Sequence, residues 1–273
     1  MAELRIALAV SIKLLMLSTL APGPALAQEA DTQQRRAGLL ERLSEDEPTL
    51  FESLVDRTTL GLGFDYNRGD FEADQTTDMG SLTAMVKLDW ETLSVRAALP
   101  FFGLEGPGNA EFQGSEKVDY GVGDLVTSLT YTLFPPRNGL PFFDFILKLK
   151  LPTAKSDFGT GKVDVTLLVD VIHDFDPLVV FADFGYRFRG AGDYSDTLLA
   201  AIGGGVQFEV GSSLWLAYDW RESPFRERGD EHELTPFVSI PVGSHLRIDP
   251  YVVIGLSAAS PDWGAGTTLS WKF

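Results

Sequence analysis

The chain ends in "DWGAGTTLSWKF", residues 262–273. In a β-strand successive side chains point to opposite faces. Trp263, Ala265, Thr267, Leu269, Trp271 and Phe273 then share one face, and Gly264, Gly266, Thr268, Ser270 and Lys272 the other. The contrast between a large apolar face and a small polar one suits a strand with lipid on one side and water on the other. It would equally suit an edge strand of a soluble sheet, so the rest of the chain has to decide.

Upstream, the same period-two alternation recurs in segment after segment, with almost no helical spacing. Leu82, Ala84, Val86, Leu88 and Trp90 oppose Thr83, Met85, Lys87 and Asp89. Phe143, Phe145, Leu147, Leu149 and Leu151 oppose Asp144, Ile146, Lys148 and Lys150, and Leu246, Ile248, Pro250, Val252, Ile254 and Leu256 oppose Arg247, Asp249, Tyr251, Val253 and Gly255. Such stretches number twelve: 59–66, 81–90, 93–101, 122–134, 142–153, 162–172, 178–189, 198–210, 213–221, 233–242, 245–258 and 263–273. Short connectors such as "ETL", "DFDP" and "GSH" alternate with longer polar ones such as "NRGDFEADQTTDMG", "TAKSDFGTGK" and "ESPFRERGDEHE". Short turns at one end and long loops at the other are the build of bacterial outer-membrane barrels.

A soluble β-sandwich also alternates, but with its apolar face inward and Lys, Glu and Thr outside. Here Tyr66, Trp90, Trp220, Trp263, Trp271 and Phe273 sit on apolar faces near strand ends, where membrane-interface girdles lie. The expectation is an all-β fold: a monomeric transmembrane antiparallel β-barrel of about 12 strands over residues 58–273. Its last strand pairs with its first. A terminal Phe on such a strand resembles the signal by which outer-membrane barrels are recognised for insertion. This resemblance assigns Phe273 and Trp271 to assembly and implies barrel assembly machinery and outer-membrane lipid as partners.

The 273 residues include no Cys, 22 Lys+Arg and 39 Asp+Glu, for a net charge of -17. That balance argues against a nucleic-acid partner, and no disulfide or Cys-based metal site can form. At the N-terminus, Arg5 and Lys13 precede the apolar run Leu14–Ala21, and Ala25-Leu26-Ala27 is a small-x-small site. This is the pattern of a secretory signal peptide over 1–27. After Ala27 no run approaches the ~18 apolar residues of a membrane helix, which favours the outer membrane or periplasm as destination. Residues 28–57 carry Leu39, Leu40 and Leu43, then Leu50, Phe51, Leu54 and Val55, at helical spacing around Pro48. They read as a partly helical periplasmic tether or a small plug.

The middle of the chain, "GVGDLVTSLTYTL" (121–133) followed by "LKLKLPTAKSDFGTGKVDVTLLVDV" (147–171), resembles the outer-membrane proteins of the meta-pathway of phenol degradation family. Gly121, Gly123 and Asp124 match its Gly-x-Gly-Asp, Leu151-Pro152-Thr153 its Leu-Pro-Thr, and Gly159-Thr160-Gly161 its Gly-Thr-Gly. Ala154 departs from the pattern, which has Gly there. The resemblance implies a transporter of small organic compounds. It brings no catalytic residue and no cofactor.

Other motifs carry less. "SDFGTGKV" has Ser156 where a phosphate loop needs its first Gly and Val163 where Ser or Thr should ligate magnesium. "IGGGVQF" lacks the helix of a dinucleotide fingerprint, so its glycines are expected to relieve crowding or to permit strand curvature. Asp70, Glu72, Asp74 and Asp78 read as a solvated loop rather than a metal site. Among three His, only His232 lies in a long loop. Asp230 and His232 form an Asp-x-His at the outer rim, the basis of an alternative reading as a surface hydrolase; a closed structural or adhesive barrel is another.

A transport function has to live in the lumen. Inward candidates include Lys87, Arg96, Lys148, Lys150, Asp164, Asp170, Arg187 and Arg189, of both signs, so the expectation is a narrow mixed-charge path for small organic solutes. Hairpin register places Lys150 across from Asp164, and Asp164 across from Arg187, as one girdle with Asp164 between two cations.

Overall fold

In lipid the backbone finds no water, so each strand must pair on both sides and the sheet must close. The computed structural model describes residues 54–72, 76–105, 119–133, 140–154, 158–175, 177–208 and 211–273. The expected signal peptide and nearly all of the 28–57 segment lie outside them. The strands are β1 (Thr58–Gly69), β2 (Thr77–Asp89), β3 (Leu93–Glu105), β4 (Asp119–Val122), β5 (Leu125–Leu133), β6 (Phe142–Leu151) and β7 (Asp164–Asp174). They continue as β8 (Leu178–Phe188), β9 (Thr197–Gln207), β10 (Ser213–Arg221), β11 (Glu231–Val242), β12 (Leu246–Gly255) and β13 (Trp263–Lys272). All pairings are antiparallel, and β1 bonds both β2 and β13. Leu60 faces Trp271 and Leu62 faces Leu269 across the closing seam, and the Phe273 N–H donates to the Thr58 carbonyl at 3.2 Å. Among the described residues no helix is long and apolar enough to cross a membrane; the strands cross it.

β4 and β5 are two halves of one stave, because both pair with β3. The barrel therefore has the twelve staves expected, one of them broken where an unbroken strand was expected over 122–134. Phe101 pairs with Val122 but Ala98 with Val126, so the β4–β5 side carries one extra residue, a β-bulge. Pro100 lies on β3 opposite the bulge, where its missing N–H leaves no ladder bond to break. Its carbonyl accepts the Gly123 N–H at 2.9 Å. The extra residue shifts the alternation, so that Gly123 and Asp124 are both buried.

Outward rows are apolar on every side: Phe64, Leu99, Phe145, Leu167, Phe184, Ile202, Leu216 and Ile254 are all exposed. A sandwich would have buried them. Aromatic rings flank the band as expected, with Tyr66 against Trp263 at 5.3 Å near the outer rim and Trp271 stacked on His245 at 5.4 Å near the inner one. Inside, Phe142, Ile172, Phe181, Trp215, Phe237 and Tyr251 form an apolar cluster along β6–β12. Trp215 stacks on Phe237 at 5.6 Å and 5°. Gly205 faces that stack: a Cβ there would lie 2.3 Å from the Trp215 ring. Gly203, which faces the Phe181 ring, and Gly205 thus make room for rings.

Two outcomes follow from the lipid face. Ile202, at the middle of β9 and 61% exposed, meets the hydrocarbon core; Ile202→Lys should lower the unfolding free energy in lipid vesicles by ~2–4 kcal/mol, and an unchanged denaturant midpoint would contradict the membrane orientation. Phe273 is the last residue of the closing row, so deleting it or replacing it by Asp should leave export intact and reduce the heat-modifiable, protease-resistant barrel. Equal amounts in mutant and native cells would remove it from assembly.

Candidate functional site

The bulge aims Asp124 into the lumen, where it meets two other charged side chains. The Lys150 ammonium lies 3.2 Å from Asp124 Oδ2 and 3.1 Å from Asp164 Oδ2, and donates to Thr160 Oγ1 at 2.7 Å. Asp124 Oδ1 accepts the Ala154 N–H at 2.9 Å, and Asp164 Oδ1 accepts the Gly190 N–H at 3.0 Å. Thr153 Oγ1 accepts the Leu125 N–H at 2.8 Å, just past the bulge. The three short motifs of the middle region are thereby one device: Asp124 from the first, Thr153 from the second and Thr160 from the third fasten the β6–β7 loop to the wall.

The expected girdle needs correction. Lys150 does face Asp164, but Arg187 pairs with Thr166, one inward step away. At ion-pair distance one cation, Lys150, sits between two anions, Asp124 and Asp164, and Asp164 attracts Arg187 and Arg189 from farther off. The turn after β7 lies one residue later than assumed, since Asp174 still pairs with Val179.

The fastened loop carries Phe158 into an apolar cluster with Phe71, Met79, Phe102 and Leu104. Gly121 leaves the space for it: a Cβ at Gly121 would lie 2.1 Å from the Phe158 ring. Phe71 enters from the β1–β2 loop with φ 48°, a left-handed conformation unfavourable for a bulky residue. Neighbours hold it there. The Glu72 N–H donates to the Ala258 carbonyl at 3.0 Å, Glu72 Oε1 accepts the Gly229 N–H at 2.9 Å, and Arg228 Nη1 donates to the Phe71 carbonyl at 3.4 Å. Burial lowers the pKa of Arg228, against the attraction of Glu72. Two loop phenylalanines thus narrow the outer end of the lumen.

Below this cap the charges are sorted into rows by register. Lys272 pairs with Thr59, Thr59 with Lys87, Lys87 with Arg96, and Arg96 with Ser128. The row continues from Ser128 to Lys148, Thr166, Arg187 and Thr197. Five cations separated mostly by hydroxyls therefore climb from the periplasmic end of β13 to the extracellular end of β9. A second row, Asp144, Asp170, Asp183, Ala201, Asp219 and Glu233, runs along β6–β11. Like charges directly opposite repel. Lys148 is attracted by Asp170 and Asp183, and Arg221 bonds Glu231 at 3.0 Å and also Glu233. Near the periplasmic mouth an open cavity of about 110 Å³ is lined by Lys87, Arg96, Arg247 and Lys272, with hydroxyls between them.

All eight lumen residues expected from sequence belong to inward rows or, for Arg189, continue one just past β8. Lys87, Arg96, Lys148 and Arg187 share a row; Lys150 and Asp164 form the loop fastening; Asp170 lies in the carboxylate row. Sequence reading set Lys272 on the water face without counting it among the lumen candidates, and it missed the lumenal roles of Asp124, Phe71 and Phe158, of which only Asp124 had a signal, its place in the Gly-x-Gly-Asp motif. Asp230 and His232 bond different partners: Asp230 accepts from Trp220 Nε1 at 3.1 Å and from the Ser223 N–H at 2.9 Å, while His232 Nδ1 bonds the Tyr218 hydroxyl at 2.6 Å. Of the acidic loop residues, Asp70 accepts from Thr76 and Glu72 from Gly229, Asp78 bonds Arg68, and Asp74 lies outside the described residues. Among the described residues no group of three His, Cys, Asp or Glu is arranged to hold a metal.

Asp124→Ala leaves Lys150 with one carboxylate and frees the Ala154 N–H. Removing one partner of a buried ion pair costs about 3–5 kcal/mol, so the variant should melt earlier and its 152–163 loop should be cut faster by trypsin. An unchanged cleavage rate would mean that Asp124 does not hold the loop.

The model of the family described as "MetA-pathway of phenol degradation" matches residues 55–273. Among solved structures, an outer membrane channel from Pseudomonas putida F1 is similar at a TM-score of 0.65 and 15% identity, over 84% of this chain and 100% of that one. The translocator domain of the autotransporter NalP from Neisseria meningitidis gives 0.51 at 10% identity, over 92% and 98%. The KdgM porin in complex with disordered oligogalacturonate gives 0.50 at 9% identity, over 77% and 99%. A channel, a translocator and a porin share the architecture, so these likenesses bear on the fold alone. A comparison with curated proteins yields no match. The matched segment begins at the turn before β1 and takes in the entire barrel, and the chain belongs to the family described as "MetA-pathway of phenol degradation".

Proposed function

We propose that the barrel is an outer-membrane passage for small organic solutes, exported by its N-terminal signal and inserted by the barrel assembly machinery. The observation that carries this reading is the contrast between an apolar exterior and an interior with rows of charged and hydroxyl side chains and an open cavity at its inner mouth. A barrel kept only for structure or adhesion needs no cation row climbing from one rim toward the other. The apolar cap at the outer end and the ring cluster below it leave a narrow path, which suits small molecules rather than polymers. The family's description, a pathway of phenol degradation, agrees with organic cargo.

Planar bilayers test the reading. The purified barrel should give discrete conductance steps, and Phe158→Ala, which empties the space beside Gly121, should raise them. A heat-modifiable, correctly folded barrel that passes no current, in native form and in the Phe158→Ala variant alike, would leave a closed structural barrel as the better reading.

A further inference from the structure

We propose that the outer end of the lumen holds a binding site for a primary ammonium carried on an apolar ring. Asp65 is its counter-ion, Asn67 and Ser81 are further acceptors, and the slot over Gly121 seats the ring. The proposal rests on the reading of the barrel as a solute passage and names a class of cargo.

A carboxylate withdrawn from water is costly unless a cation or several donors compensate it. At the outer end, Asp124 and Asp164 share Lys150, and Glu231 and Glu233 share Arg221. Asp65 is different. It is half-buried on the inward face of β1, and its only hydrogen bond among the described residues comes from Ser81 Oγ to Oδ2 at 3.0 Å. No Lys, Arg or His among the described residues lies at ion-pair distance from it. Oδ1 is left for a donor from outside the chain. Register sets Ser81 directly across from Asp65, and Asn67 one inward step further along β1, opposite Met79. On its other side β1 meets glycines, Gly266 beside Asp65 and Gly264 beside Asn67. A Cβ at Gly264 would lie 2.1 Å from Asn67 Oδ1, so a bare backbone gives the amide its room.

Asp65, Asn67 and Ser81 border a cavity of about 10 Å³ whose other wall is Met79 and Phe102. Such a space takes a single water-sized group. A primary ammonium has that size and three donors, and three acceptor oxygens await it here, since Ser81 still accepts while donating to Asp65. A carboxylate guest would be repelled by Asp65, and a quaternary ammonium is too large for the notch.

Met79 and Phe102 belong also to the apolar cluster that seats Phe158, so the notch for the charge and the seat for the ring are contiguous. One inward row joins them: Asp65 pairs with Ser81, Ser81 with Phe102, and Phe102 with Gly121. The chain itself shows the shape of the guest. The Phe158 ring already lies on Gly121, where a Cβ would be 2.1 Å from it, and a solute ring takes that place. Phe102, which lines the notch, adds ring surface of the kind that attracts organic cations.

Equilibrium binding to the purified full chain in detergent at neutral pH, read from the fluorine NMR resonance of the probe, tests the site without requiring conductance. The probes are para-fluorobenzylamine, its neutral counterpart para-fluorobenzyl alcohol, and para-fluorobenzyltrimethylammonium, which keeps the charge and loses the donors. The amine should bind saturably and about tenfold more tightly than the other two, the size of a hydrogen bond to a charged group. Asp65→Asn should bring the amine down to the affinity of the alcohol. Phe158→Ala, which removes the chain's own ring from the seat, should instead tighten the amine several-fold, and adding Gly121→Val to it should reverse that gain. Heat-modifiable migration identifies folded variants. The proposal is overturned by the absence of saturable amine binding, by either control probe binding as tightly, by folded Asp65→Asn that binds like the native protein, or by Phe158→Ala that binds no more tightly. Amine binding in a barrel that carries no current would uphold the site and remove the passage; current without amine binding would do the reverse.

Discussion

Every other feature of this molecule depends on the closure of the sheet between β1 and β13. In hydrocarbon an unpaired N–H or C=O costs several kcal/mol, so an open edge along Thr58–Gly69 or Trp263–Lys272 could not face lipid. The seam runs from Thr59 opposite Lys272 to Arg68 opposite Trp263. Once it is closed, the alternation of each strand has a fixed meaning: one face to lipid, the other to the lumen. The charged side chains of the described strands are thereby confined to the lumen and the rims, because the lipid face admits almost none of them.

Closure also forces the inward side chains into a shared space. Twelve staves enclose more room than the side chains of an eight-stranded barrel would fill, and less than a wide porin. The chain uses three kinds of filling. Rings pack along β6–β12, two loop phenylalanines cap the outer end, and charged rows line what is left. The bulge at Gly123-Asp124 shows how finely the inward face is controlled. One extra residue opposite Pro100 turns Asp124 inward, and the loop that carries Phe158 is then held by a carboxylate that a regular strand would have pointed at lipid.

Period-two alternation is a local signal, and what depended on it was legible: the barrel, the twelve staves, the lipid face and the inward set that includes Lys87, Lys148 and Asp170. Lys150 opposite Asp164 was legible too, since a single hairpin fixes it. Arg187 was misplaced because register across a turn depends on which residues the turn uses, and β7 runs on to Asp174. Asp124 was hidden by a change of parity that only the β3 pairing reveals. Phe71 and Phe158 sit in loops, where no period says which side chain turns inward. The cation row could not be read at all. Its members are neighbours through pairings on nine strands, and the stagger between strands carries the row from one rim toward the other.

That stagger makes the lumen chemically uneven. In a barrel without shear, each row would be a closed ring at one depth, and a solute would meet alternating layers. With shear, a row becomes a slanted stripe. The cations hold β13, β2, β3, β6 and β8, and the carboxylates hold β6, β7, β8, β10 and β11. On β6–β8 the two stripes lie close, and there Asp170 and Asp183 act on Lys148. On β2 and β3 the carboxylate row is absent, and Lys87 and Arg96 lie beside the cavity. Among the described residues the two signs therefore meet on β6–β8, while Lys87 and Arg96 stand opposite one another on β2 and β3, with Asp89 bonded to Lys87 at 3.2 Å.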